Sequence, residues 1–421
     1  MQQTSHSIRA GVRIEKPLCD AIGFAPLFPL QKVVCSQKSL LHEFQEVALI
    51  RVPASLVMIG KRFRHDIFDE NGQLLLMRGM PVASELQVVL IKRQGFRKPA
   101  KSRAVSSFGA IYWISDRLTV IEEDILEKRD GGVWKKRIAN LVKDFVDVVD
   151  AEPDAAFANL HLENRHSYFV VHSMMAAVVC SRLALARGYD EQERARLIAA
   201  ALTHDFGMIE LQPQISGNDD LTPTQKARIR QHGNESVRML REFGIDDPVW
   251  LAAIEDHHEY LDGSGYAGKH EADIAEPARI LAIADAISAM LRPRPYRERI
   301  FASQALERLF VDDFMRYDRS ILESLFWDLG FFPPGSLVRL ASRELGVAIR
   351  NTPGLLDSPI VAVLTDPDGR PLLAPVLRDS QDAGYAIVEA LDPSLANRVG
   401  RVIEECWATP GAAAMRQTKI A

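Results

Sequence analysis

Ala253-Ile254-Glu255-Asp256-His257-His258-Glu259-Tyr260-Leu261-Asp262-Gly263-Ser264-Gly265-Tyr266-Ala267-Gly268 carries two adjacent histidines from the end of an apolar run into a glycine-rich loop. The run before it, Val249 to Ile254, predicts a helix that closes at the histidine pair. Asp262, Gly263, Ser264 and Gly265 allow tight backbone turns and close approach to a phosphate or a metal. A solvated helix end would favour histidine through the helix dipole. That accounts for one histidine better than for two followed by such a loop.

Working outward, eight of the eleven histidines fall between residues 161 and 270, within sequence of helical character. His204-Asp205 follows the apolar run Leu197 to Leu202 and precedes Gly207, which could permit a sharp helix exit. Neighbours on a helix point about a hundred degrees apart, so an intact helix would not aim both side chains at one ion. An aspartate with two oxygens can, however, bridge two metals while its histidine neighbour ligates one. Taken alone, the dipeptide reads more readily as an N-cap or turn aspartate beside a chance histidine. His172 lies among Val170, Val171, Met174 and Met175, and His232 lies in a polar helical stretch. Asp285 sits in the apolar string Ile280-Leu281-Ala282-Ile283-Ala284-Asp285-Ala286-Ile287. A carboxylate buried there without a partner would be costly, so it either lies on a polar stripe or coordinates something.

In this order, His172, His204-Asp205, His232, His257-His258 and Asp285 resemble the HD-GYP branch of the HD-domain metal-dependent phosphohydrolases. "HDFGM" stands where that family has HDxGK, and "LTPTQKARIRQH" resembles its stretch before the next histidine. "HHEYLDGSGYAG" resembles HHExxDGxGYP, and "ARILAIADAISAM" with "RPYR" resembles the segment that follows. The likeness covers about residues 115 to 330, and "PPGSLVRLASRELGVAI" looks like a β tail found after such domains.

The resemblance implies two divalent metal ions, with iron or manganese suited to imidazole and carboxylate donors. One would be held by His172, His204, Asp205 and Asp285, the other by His232, His257 and His258, with Asp205 bridging. Tyr168 stands where some members carry a glutamate for a third metal. His204 and Asp205 would be the catalytic pair. Gly263, Gly265, Tyr266, Arg294 and Arg297 would meet the substrate, a cyclic dinucleotide. The implied activity is hydrolysis of cyclic di-GMP to pGpG or GMP. Two departures bear on it: Met208 replaces the family lysine near the scissile phosphate, and Ala267 replaces the proline of GYP. A thioether supplies no charge, so reduced activity is expected. Ala267 should loosen the loop modestly, because proline fixes φ. Two further readings stay open: a slow or inactive metal-bound sensor or docking module for cyclic dinucleotides and protein partners, and a phosphohydrolase for another nucleotide.

The remaining sequence sets the expected architecture. The fold class is mainly α: a helical core over 115–332, a small mostly-β module over 42–104, a C-terminal β subdomain over 333–421, and a leader of low order over 1–41. "ENG" at Glu70-Asn71-Gly72 and Asp366-Pro367-Asp368-Gly369 are turn signals between strands. "SELQVVLIKRQGF" predicts a short helix ending near Gly95, and Ser115 or Asp116 is a plausible cap for the first long helix. Lys92, Arg93, Arg97, Lys98, Lys101 and Arg103 form either an anion-contacting surface or a solvated linker. A net charge of −5 argues against binding double-stranded nucleic acid. Four scattered cysteines fit a reducing compartment. No uninterrupted apolar stretch approaches eighteen residues, so no membrane span is expected and the cytoplasm is the expected location.

Overall fold

The computed structural model describes residues 50–407 apart from 64, 71–72, 98–106, 130–132, 163–164, 216–220, 293–299, 314, 393–394 and 396–404. The leader, Arg294, Arg297, Lys98, Lys101 and Arg103 therefore lie outside the described residues. Two compact units divide between residues 101 and 102.

The first unit pairs four very short strands in the order β1-β4-β2-β3: β1 (Ile50–Arg51), β2 (Ile67–Phe68), β3 (Leu74–Leu76) and β4 (Phe96–Arg97). Helix α1 (Glu85–Gln94) starts where the Ser84 side chain accepts the Gln87 N–H and stops at Gly95, as its sequence predicts. Strands this short are held by side-chain packing, and Val52, Phe63, Ile67, Leu76, Val88 and Ile91 supply the core. Arg97 is buried in β4, so it belongs to this module's interior rather than to an anion-contacting surface.

The second unit is helical. α2 (Ser107–Leu126) begins well before the expected cap, and Ser115 and Asp116 lie buried inside it. The reason is visible in the stripe Phe108, Ile111, Ile114, Leu118, which continues the buried face toward the N-terminus at helical spacing. α3 (Trp134–Ala151), α4 (Pro153–Leu162), α5 (Tyr168–Ala186) and α6 (Glu191–Thr203) follow. α5 is long and apolar enough to cross a membrane by composition, but 83% of that window is buried inside the fold. It is the central helix, apolar on all faces because α6, α4 and later helices surround it. After the short α7 (Gln212–Ile215) come α8 (Pro223–Glu242), α9 (Pro248–Asp256), α10 (Glu276–Met290), α11 (Ala302–Val311) and α12 (Arg319–Leu329). Reciprocal capping by Asp190 with Glu193, and by Thr222 with Gln225, fixes where α6 and α8 start.

Strands β5 (Leu337–Leu340), β6 (Leu345–Thr352), β7 (Leu355–Thr365), β8 (Pro371–Asp379) and β9 (Ile387–Leu391) make an antiparallel sheet in the order β8-β7-β6-β5-β9. The Asp366–Gly369 turn joins β7 to β8, with Gly369 at φ 83°. Leu337, Val347, Ile349 and Leu364 pack with Phe108 of α2 and Ala155 and Ala158 of α4, so sheet and helices share this core. The chain is thus mainly helical, with small sheets toward each end.

Candidate metal centre

Five helices end at or pass one point. α5 brings His172 from its buried interior, and α10 brings Asp285 from another apolar helix. α8 brings His232 on its inner face, and the ends of α6 and α9 bring the two adjacent pairs. His204 ends α6 in helical geometry at φ −60°, while Asp205 turns to φ −99°, ψ 14°. That turn re-aims the aspartate, which is why neighbours in sequence face the same centre. His257 ends α9 in the same manner, and His258 follows with its ring 4.1 Å from that of His257.

The donor atoms form two groups. His172 Nε2 lies 2.9 Å from Asp285 Oδ1 and 3.5 Å from Asp205 Oδ2. His204 Nε2 lies 3.6 Å from Asp285 Oδ1 and 3.8 Å from Asp205 Oδ2. His232, His257 and His258 converge in the other group. Asp205 faces both: its other oxygen, Oδ1, is 3.3 Å from His232 Nε2. Donors about 2.1 Å from a shared cation stand about 3.0–3.4 Å apart at octahedral to tetrahedral angles, so this spacing is close to that of a filled coordination sphere.

Hydrogen bonding fixes which ring nitrogen faces inward. His204 Nδ1 is 2.7 Å from Ala201 O, His232 Nδ1 is 2.6 Å from Ile229 O, and His257 Nδ1 is 2.6 Å from Ile254 O. A carbonyl oxygen only accepts, so each Nδ1 carries a hydrogen and Nε2 is the atom each ring turns inward, the one a metal would take. His204 Nε2 is buried without a hydrogen-bond partner. His232 Nε2 and His257 Nε2 are 3.0 Å apart, and only a proton or a cation between them removes the repulsion of their lone pairs. Tyr168 stacks on His172 at 5.2 Å and braces that ring. The residues present therefore fit a metal cluster in donor type, spacing and orphaned nitrogens.

Charge follows the same division. Burial opposes ionisation of Asp205 and Asp285, but the surrounding imidazoles outweigh it and both carboxyls titrate below their usual range. Burial likewise disfavours charge on His204, yet Asp205 and Asp285 raise it to about 9. His258 falls to about 4 and His257 well below its usual value, because burial there is joined by neighbouring imidazoles. The His257–His258 pair is therefore an interior neutral cluster, and a solvated helix end does not describe it.

The loop 256–270 is held from within. At Gly263, φ is 77° and an added Cβ would lie 2.4 Å from the His270 ring. At Gly265 an added Cβ would lie 2.6 Å from Glu259 Cα. Both glycines are thus required by the loop's own packing, and close approach to a phosphate is not what fills those directions. Tyr266 is half exposed, with its ring 4.7 Å from that of His258.

Sequence reasoning missed Glu259. Its buried carboxylate accepts the Ala267 N–H at 2.6 Å and the Lys269 N–H at 2.9 Å. Proline has no N–H, so alanine at 267 anchors the loop here where a looser loop was expected. Ala267→Pro is accordingly expected to lower stability, by roughly 1.5–3 kcal/mol for a lost charged hydrogen bond. Urea unfolding of both proteins checks this, and equal or greater stability in the variant would contradict it. Tyr317, buried against Tyr260 at 5.6 Å, and Arg316, 3.8 Å over the Tyr260 ring, also gave no local signal. Met208 is buried with Leu211 and Ile215 in a small apolar cluster.

Residues 157–321 match the family model described as HD domain. A cyclic di-GMP phosphodiesterase of Pseudomonas aeruginosa is 29% identical over 228 residues, covering 52% of this chain and 54% of that protein. A 3'3'-cGAMP-specific phosphodiesterase of Vibrio cholerae is 34% identical over 128 residues, 30% of each protein. A solved structure from Bdellovibrio bacteriovorus, described as an HDG"Y"P protein, is 18% identical, covers 66% of this chain and 97% of its own, and superposes with a TM-score of 0.48. The chain thus spans about half or less of the length of these two curated relatives.

Proposed function

From the premise that residues 157–321 are an HD domain, we propose that the chain is a metal-dependent phosphodiesterase that cleaves a cyclic dinucleotide, cyclic di-GMP in particular, to pGpG or GMP. The observation that carries this reading is Asp205, whose two oxygens face separate histidine groups. His172, His204, Asp205 and Asp285 would hold one ion, and His232, His257 and His258 the other. Imidazole and carboxylate donors suit iron or manganese. Two such ions supply activated water at neutral pH and offset charge on the phosphoryl oxygens. His204 and Asp205 are the catalytic pair in this reading. The protein's own part is orientation: backbone carbonyls lock three imidazoles, and Tyr266 presents an aromatic face beside His258. Gly263 and Gly265 give the loop the bend that holds Tyr266 there.

A second reading has one observation behind it. Met208 is packed in apolar surroundings and supplies no cation to a scissile phosphate, which favours a slow enzyme or a cyclic-dinucleotide sensor. One experiment separates the readings: bound metal and cyclic di-GMP cleavage are measured on the same manganese-loaded preparation. Release of pGpG or GMP with about two metals per chain supports the enzyme. Metal-dependent binding without release supports the sensor, and neither binding nor release overturns both.

A further inference from the structure

We propose that Arg230 is a phosphate-binding residue of this centre, reaching a phosphoryl oxygen of the substrate from α8. The inference rests on the phosphodiesterase reading. Arg230 lines a groove of about 560 Å³ together with Lys226 and Asn234 on one wall and His258 and Tyr266 on the other. The groove therefore places a guanidinium near an aromatic ring that itself lies against a candidate metal ligand.

The cation is free to bind an anion. Among the described residues, Arg230 makes no side-chain hydrogen bond or ion pair, whereas Arg238 of the same helix is held by Glu235 and Glu242. Two of the acids lining the groove are already engaged: Asp256 by Lys269 Nζ at 2.6 Å, and Glu259 by two backbone N–H groups. Glu255 also lines the groove, and so does the cation of Lys226. Residue 208 contributes only apolar surface. A guanidinium presents a planar fork of donors that matches two oxygens of one phosphate, so an unengaged arginine beside a di-metal site is suited to hold the diester in place.

The test compares wild type, Arg230→Gln, Arg230→Lys and Arg228→Gln as full-length, manganese-loaded proteins. Arg228 lies two positions away on α8 and lines a different groove, so its variant removes the same charge elsewhere. Bound manganese, calorimetric affinity for inorganic phosphate and cyclic di-GMP cleavage are read on each. Arg230→Gln is expected to keep its metal, bind phosphate about tenfold to a hundredfold more weakly and cleave about a hundredfold more slowly. Arg230→Lys should recover part of the phosphate affinity, and Arg228→Gln should match wild type. Equal phosphate affinity in wild type and Arg230→Gln, including no measurable binding by either, overturns the inference. If wild type binds phosphate but cleaves no cyclic dinucleotide, the substrate reading fails while the phosphate comparison still decides the role of Arg230.

Discussion

Asp205→Asn is expected to abolish paired metal binding and lower cyclic-dinucleotide cleavage at least about a thousandfold. The substitution keeps shape and volume, so the fold should survive. It removes a carboxylate that faces both groups, 3.5 Å from His172 through Oδ2 and 3.3 Å from His232 through Oδ1. An amide is uncharged and offers one oxygen, and its NH2 cannot ligate a cation at the second group. Metal content should fall from about two toward one or none per chain.

The proton balance gives a readout independent of turnover. His204 titrates near 9 because Asp205 and Asp285 outweigh its burial. At neutral pH the metal-free ring is therefore protonated, and a metal must displace that proton. Metal affinity should accordingly rise with pH until about 9. His257 and His258 are already neutral there, and they release none. In Asp205→Asn the His204 pKa falls, and proton release measured by calorimetry in buffers of different ionisation heat should shrink with it. A variant that keeps two metals and releases protons as wild type does would remove Asp205 from the bridging role.

How much of this was legible in the sequence depends on where each signal was stored. The histidine and aspartate pairs were legible because residue type and order are one-dimensional properties. The Asp366–Gly369 turn and α1 were legible for a related reason: their hydrogen bonds close within a few residues. Asp285 was not decidable, since a carboxylate in an apolar string reads alike on a polar stripe and in a cluster. The 2.9 Å approach of His172, 113 positions away in the chain, is what distinguishes the two. The start of α2 was misplaced because Ser115 and Asp116 have capping chemistry but sit on a helix whose buried stripe begins at Phe108. Ala267 was misjudged because its worth lies in an N–H that only Glu259 reveals. Arg294 and Arg297 fall outside the described residues, so their expected phosphate contacts stand as a proposal beside Arg230.

Gly207→Ala should damage the centre without altering any ligand side chain. The sequence suggested that Gly207 lets the chain leave a helix, but its φ is not in the left-handed region that glycine alone favours. What requires glycine is proximity: an added Cβ would stand 2.4 Å from His232 O and 2.9 Å from Glu235 Cβ, distances that real Cβ atoms do not show. Two hydrogen bonds clamp the same contact, Gly207 N–H to Ser236 Oγ at 2.8 Å and Ser236 Oγ–H to His204 O at 2.6 Å. They fasten the segment carrying His204 and Asp205 to the helix carrying His232. A methyl group there meets backbone rather than a flexible side-chain end, so the segment must move off α8 and take Asp205 away from His232. The expected cost is about 1–3 kcal/mol of stability from overpacking. Metal affinity should fall by about tenfold to a hundredfold, as when the support behind a ligand is lost. Ser236→Ala removes the hydrogen bonds without adding bulk and should fall between wild type and Gly207→Ala on both measures. If Gly207→Ala unfolds at the wild-type urea midpoint and retains full metal, the close approach does not position the centre, and the two histidine groups are held together by their ligands alone.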